Sequence, residues 1–221
     1  MAVELPHSKL ITSAARDVLR PLGLRRRGRS RVWLDDRGWW LGVVEFQPSG
    51  FSRGSYLNVG VCWLWGWNGD VSFDVGSRVK GAGFVSYETD EQFAPEARRF
   101  AELAAARVEE FRAAFPDLTA AADYLFAHNN GIANACLHAA TVAALIGRYD
   151  HAIRLLHDIE ADAAARPAAY GDSDAWMRHV HESAVCLRTK TGQARFLAER
   201  CEQVRAGRAA LKLPPLADSP W

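Results

Sequence analysis

Hydrophobic residues recur at helical spacing near the start of the chain and throughout its second half, and at alternate positions between. From His7 to Arg20 the apolar positions Leu10, Ile11, Ala14, Ala15, Val18 and Leu19 form one helical stripe. Pro21 and Gly23 stop it. Period-two alternation then predicts strands over Leu24–Asp35, Trp39–Gln47 and Ser55–Trp65. Asp36-Arg37-Gly38 suits a type I turn with the glycine in a left-handed bulge. Asn68-Gly69-Asp70 signals another turn before a short strand over Val71–Val75, and Phe84–Tyr87 is a possible edge strand.

From Thr89 onward the pattern is helical. Thr89 and Gln92 have capping-box spacing, and Pro95 suits a first helical turn. Phe100, Leu103, Ala104, Val108, Phe111 and Phe115 share a face. Pro116 ends that helix. Further helices are expected over Leu118–His128, Ile132–Ile146, Tyr149–Ala163, Asp174–Lys190 and Gln193–Leu211, with Asn129-Asn130-Gly131 closing the first of these. The tail from Pro214 reads as loosely ordered unless Trp221 docks. The fold class is therefore α+β: an N-terminal helix plus an antiparallel β-meander of four to five strands, followed by a helical C-terminal half. The expected organisation is a sheet domain over 1–115, a helical subdomain packed on it over 116–213, and a tail over 214–221. No βαβ rhythm supports a doubly wound nucleotide fold.

Strand parity assigns faces. Leu57, Val59, Val61, Trp63 and Trp65 point one way, matched by Trp40, Val44 and Phe46 and, in the first strand, by Val32 and Leu34. Gly28, Ser30 and Gly42 on that side leave room for a helix. Pairing Asp35 with Trp39 places Arg27, Arg29, Arg31 and Trp33 opposite Leu41, Val43, Glu45 and Gln47 on the other side, with Tyr56, Asn58 and Cys62 beside them. Glu45 would then face Arg29 in a cross-strand ion pair. Arg25, Arg27, Arg29, Arg31, Trp33, Glu45, Gln47, Tyr56 and Asn58 are the candidate binding residues, because arginine and tryptophan dominate contact hot spots. Arginine stems lying over indole rings, with charges satisfied locally, account for the same composition.

Charge narrows the partners. The net charge is +1, which argues against a protein that coats nucleic acid or membrane. Yet Lys9 to Arg31 holds eight basic residues against one acid, Asp17. Arginine outnumbers lysine 23 to 4 beside abundant alanine, as in proteins of GC-rich bacterial genomes. Cys62, Cys136, Cys186 and Cys201 lack C-x-x-C spacing and read as reduced thiols. No secretory leader and no long apolar run is visible, so a cytoplasmic location and no membrane contact are expected.

The segment PLGLRRRGRSRVWLDDRGWWLGVVEFQPSGFSRGSYLNVGV resembles the domain-of-unknown-function family numbered 4304. The matching positions are Pro21-Leu22-Gly23, Arg27-Gly28-Arg29, Glu45-Phe46-Gln47 and Asn58-Val59-Gly60, and the resemblance covers roughly residues 5–115. Leu24 stands where that family has phenylalanine, and Glu45 where it has asparagine. The resemblance implies an α+β fold found mainly in bacteria, without catalytic residues to carry over.

Other chemistry is weakly signalled. GRYDHAIRLL, from Gly147 to Leu156, is similar to a tetratricopeptide-type helix junction, but one unit reads better as an ordinary αα-hairpin. The seven histidines lack metal-ligand spacing. The glycines of Gly76–Gly83 lack the phosphate-loop order and read as a flexible connection. No catalytic residue, metal ligand or cofactor is assigned. The leading expectation is a non-catalytic protein-interaction module, immunity- or adaptor-like, with a protein partner. Single-stranded nucleic-acid binding by the same face is one alternative. An enzyme with a site between sheet and helices, using Glu45, Gln47, Arg29 and Tyr56, is another.

Overall fold

The computed structural model describes residues 6–128, 133–166 and 174–221. They form an N-terminal helix, an antiparallel sheet and a helical C-terminal half. The chain divides into two compact units. The first holds the chain to Leu64, Gly69–Ala113 and Leu211–Leu213, and the second holds Trp65–Asn68, Ala114–Ala210 and Pro214–Trp221. Among the described residues no helix is long and apolar enough to cross a membrane.

In the first unit, helix α1 (Pro6–Leu19) buries Ile11, Ala15 and Leu19 and leaves Arg16 outside. Strands β1 (Arg25–Arg26), β2 (Val32–Asp36), β3 (Trp40–Pro48), β4 (Gly54–Trp63) and β5 (Val75–Arg78) follow. They lie in that order across the sheet, each antiparallel to its neighbour, and β6 (Val85–Ser86) pairs with the start of β4.

The expected first strand is in fact two. Gly28 adopts φ +55°, and the Ser30 amide donates to the Arg27 carbonyl at 3.0 Å, so residues 27–31 turn the chain between β1 and β2. Ser30 also donates from Oγ to the Arg27 carbonyl, and Arg26 donates to the Arg29 and Ser30 carbonyls. These local bonds compete successfully with an extended ladder.

The register between β2 and β3 also differs from expectation. Gly38 takes φ +84° as anticipated, but Arg37 pairs with Trp40 through its amide, and Asp35 lies opposite Gly42 rather than Trp39. The slip is an odd number of residues, so every side chain of β2 changes face. Trp33 and Asp35 join the core face; Val32 and Leu34 leave it.

The core face holds Trp40, Val44, Phe46, Leu57, Val59, Val61 and Trp63, each at most 1 % exposed. Trp39 stacks on Trp63 with ring centres 5.7 Å apart. Burial of each such large side chain is worth about 2 kcal/mol. Trp65 is equally buried, but it sits in a 3-10 turn over Leu64–Gly66, past the end of β4.

Helix α2 (Asp90–Ala114) begins earlier than Pro95 suggests, so that proline occupies the second turn. Thr89 Oγ1 accepts from the Gln92 amide at 3.2 Å, and Gln92 reaches back to the Glu88 amide. Near its other end Arg112 grips Asp35. Gly42 makes room for that carboxylate, since a Cβ there would stand 3.0 Å from Asp35 Cβ.

The opposite face of the sheet is buried at its centre too, through Leu34, Leu41, Val43 and Cys62. The segment before β5 covers it: Ser72 Oγ donates to Cys62 Sγ at 3.4 Å, and Phe73 lies against Gly60. The short strand expected over Val71–Val75 is therefore a covering loop as far as Asp74, with Val75 opening β5. β5 falls inside the glycine-rich stretch that reads as flexible.

The second unit contains α3 (Leu118–Ala127), α4 (Ala133–Leu145), α5 (Tyr149–Ala165), α6 (Asp174–Cys186) and α7 (Lys190–Ala210). Asp117 caps α3, its carboxylate accepting from the Ala120 amide. Gly147, at φ +78°, turns α4 into α5. The alanines Ala139, Ala143 and Ala152 are fully buried along that pair, where small side chains let helix axes approach. Trp65 donates through Nε1 to His138 Nδ1 at 3.2 Å. In the tail Arg208 donates twice to the Pro214 carbonyl, and Pro220 is buried. The turn expected at Asn129-Asn130-Gly131, and Ile132, lie outside the described residues.

Candidate functional site

Strands β3 and β4 bring four of the nine candidate residues together. Glu45 pairs with Asn58 and Gln47 with Tyr56 across the two strands, all pointing to the face opposite the core. Asn58 donates one amide hydrogen to Glu45 Oε2 at 2.8 Å and the other to Gln47 Oε1 at 3.1 Å. Gln47 Oε1 also accepts from Arg78 at 2.9 Å. The Arg78 guanidinium lies 3.8 Å above the Tyr56 ring, and Tyr56 packs on Phe84 at 4.9 Å.

The result is a connected chain from Glu45 through Asn58, Gln47 and Arg78 to Tyr56. Both hydrogens of the Asn58 amide and both lone pairs of the Gln47 oxygen are used, which fixes the amide orientations. Glu45 ends the chain differently. It is half-buried, and among the described residues it has no cation within 4 Å and no donor on Oε1. A carboxylate taken partly out of water normally acquires a charge partner or a full set of donors.

Beyond the paired ends of β3 and β4, Ser49 Oγ accepts from the Phe51 and Ser52 amides at 3.2 and 3.3 Å. This ties the connecting loop into one shape. Phe51 stands at its tip with its ring wholly in solvent, 104 % exposed. Large apolar side chains are seldom displayed on so constrained a loop unless packing or contact uses them.

The other five candidates go elsewhere. Arg29 does not oppose Glu45; Val32 does. Arg27 pairs with Asp70 at 2.8 Å. Arg31 donates to Ser8 Oγ and lies 3.2 Å from His7 Nε2, so it anchors α1. Trp33 packs in the core at 4 % exposure. Arg25 pairs with Leu34 and lines a groove with the last turn of α1. The continuous arginine row does not exist.

Arg78, Phe84 and Phe51 complete the patch and are not evident from the sequence. Arg78 sits opposite Asn58 because β5 pairs with β4, and the glycines around it mask that strand.

His7 is buried against Arg31, Tyr87 and Phe93. Burial, with the nearby Arg31 and Arg53 charges, holds its pKa below the usual histidine value. In the second unit Glu160 accepts from His157 at 2.8 Å and His181 at 2.7 Å. Burial alone would raise its carboxyl, but the two imidazoles outweigh that and hold it below the ordinary range. Among the described residues no cluster of three or more histidine, cysteine or acidic side chains has metal-binding geometry.

Comparison of the chain with models of protein families, with characterised proteins and with solved structures finds no significant match to any of them.

Proposed function

We propose that the chain is a non-catalytic protein-interaction module whose contact surface is the Glu45–Asn58–Gln47–Arg78–Tyr56 face with Phe51 beside it. The carrying observation is the Glu45 carboxylate, held in place by Asn58 yet without a cation among the described residues. A pre-oriented, half-buried carboxylate suits a lysine or arginine from a partner, because little ordering remains to be done on binding. Phe51 supplies the apolar anchor and Tyr56 the aromatic rim. An immunity- or adaptor-like role belongs to this class of proposal. The placement of residues 5–115 in the family numbered 4304 also belongs to it, resting on Arg27-Gly28-Arg29, Glu45-Phe46-Gln47 and Asn58-Val59-Gly60.

Affinity capture from the native cells tests the reading. Wild type should retain partners that Glu45→Lys and Phe51→Ser each lose, while the melting temperatures stay close to wild type. Identical partner lists from all three proteins would remove the proposal. Single-stranded nucleic acid on the same face is less well supported, since Trp33 is buried and Arg27 and Arg31 are engaged within the fold.

A further inference from the structure

Strand β5 ends the sheet, and its outer edge borders a groove of about 450 Å³ against α2. On the inner side the Val79 amide donates to the Leu57 carbonyl at 3.0 Å, and Ser77 pairs with Val59. Hydrogen-bonded positions alternate along an antiparallel ladder, so the amide and carbonyl of Arg78 face away from β4. Among the described residues neither group has a backbone partner on that side. Leu103 and Ala106 of α2, with Val79, give the groove apolar walls. An unpaired edge beside such a groove is a template for another chain.

Charge selects the occupant. Among the described residues Glu110 is the one acid lining the groove, and Arg107 already neutralises it. Lys80 is exposed and makes no ion pair with any described residue. Arg78 bears on Gln47 and Tyr56, neither of them charged. We infer that this edge takes up an extended acidic peptide as a further strand, its main chain meeting Arg78 and a carboxylate meeting Lys80. A second copy of the chain fits worse, since β5 against β5 would crowd two Arg78 and two Lys80 residues together. The strand has four residues and spans roughly 13 Å, so the occupant is a short segment. The edge is separate from the Glu45 and Phe51 surface: Arg78 gives its side chain to that face and its main chain to the groove.

Panning a phage-displayed library of random octapeptides against the immobilised full chain tests the inference. Selected peptides should carry aspartate or glutamate among alternating apolar residues, and a synthetic copy should bind in isothermal titration. Arg78→Pro removes the outward amide hydrogen, a change edge strands accept, and should weaken that peptide roughly tenfold or more. Arg78→Ala keeps the amide and should weaken it clearly less, so the difference isolates the main-chain bond. Arg98→Gln should leave binding unchanged, since that guanidinium lies elsewhere on α2 and is paired with Glu102. If the proline variant folds poorly, Lys80→Glu should still weaken binding several-fold. Failure to select any peptide, selected peptides without acids, or equal losses in Arg78→Pro and Arg78→Ala would overturn the inference. Undiminished binding by Lys80→Glu would do the same. A wild-type dimer in sedimentation that Arg78→Pro dissociates would also overturn it, in favour of self-pairing.

Discussion

Arg112 meets Asp35 through two parallel bonds, Nη2 to Oδ1 at 2.6 Å and Nε to Oδ2 at 2.9 Å, and donates a third to the Leu22 carbonyl at 2.8 Å. One side chain of α2 thus holds both β2 and the turn that follows α1. Asp35 is 3 % exposed, so its charge depends on this partner. The Asp35 hydrogen bonds raise the Arg112 pKa further above its already high ordinary value. Replacing Arg112 by methionine leaves a buried carboxylate unpaired and should cost about 3 kcal/mol in chemical denaturation. Asp35→Asn/Arg112→Met should recover part of that loss.

His7 makes stability pH-dependent. Its folded pKa lies below the unfolded value, so the unfolded chain takes up its proton first as pH falls. Stability contributed by neutral His7 is therefore full above about pH 6.5 and declines as pH drops below it. Melting temperatures from pH 8 to 5 should show this decline, and His7→Gln should flatten it.

Gly60 is required for the β4–β5 approach. A Cβ there would fall 2.3 Å from the Val75 carbonyl oxygen and 2.8 Å from the Phe73 ring. Backbone cannot give way as a flexible side chain does, so Gly60→Ala should destabilise the first unit by about 2 kcal/mol. Hydrogen exchange should quicken first at the amides of Val75 to Arg78.

Arg200 is 5 % exposed, and among the described residues the closest carboxylate oxygen, on Glu199, lies 3.8 Å away. Its Nε is buried without a partner among the described residues, although Phe196 lies beneath the guanidinium at 4.9 Å. Burial accordingly lowers its pKa. Half-satisfied buried cations are poor stabilisers, so Arg200→Met should leave stability unchanged or raise it by about 1 kcal/mol in urea denaturation.

Much of the fold was legible because hydrophobic spacing marks long elements well. Helices α1, α3, α5 and α7 lie close to their expected limits, and the shared face of Glu45, Gln47, Tyr56 and Asn58 follows from parity within β3 and β4. The arginine row failed for a local reason. Gly28 and Ser30 read as small residues in a strand, whereas a positive φ and hydroxyl-to-carbonyl bonds make them a turn. The misplaced closing pair at Gly38 then moved Trp33 across the sheet. Arg78 was hidden because a four-residue edge strand with Gly76 inside it has no periodicity of its own to display.

The nearly parallel indoles of Trp39 and Trp63, 9° apart in plane, have an optical consequence. The intense far-ultraviolet transitions of two indoles this close couple, so the far-ultraviolet dichroism should carry a contribution from the pair that is lost when β3 and β4 part. The sheet thereby supplies its own spectroscopic gauge, readable without any label, for the substitutions made in the first unit.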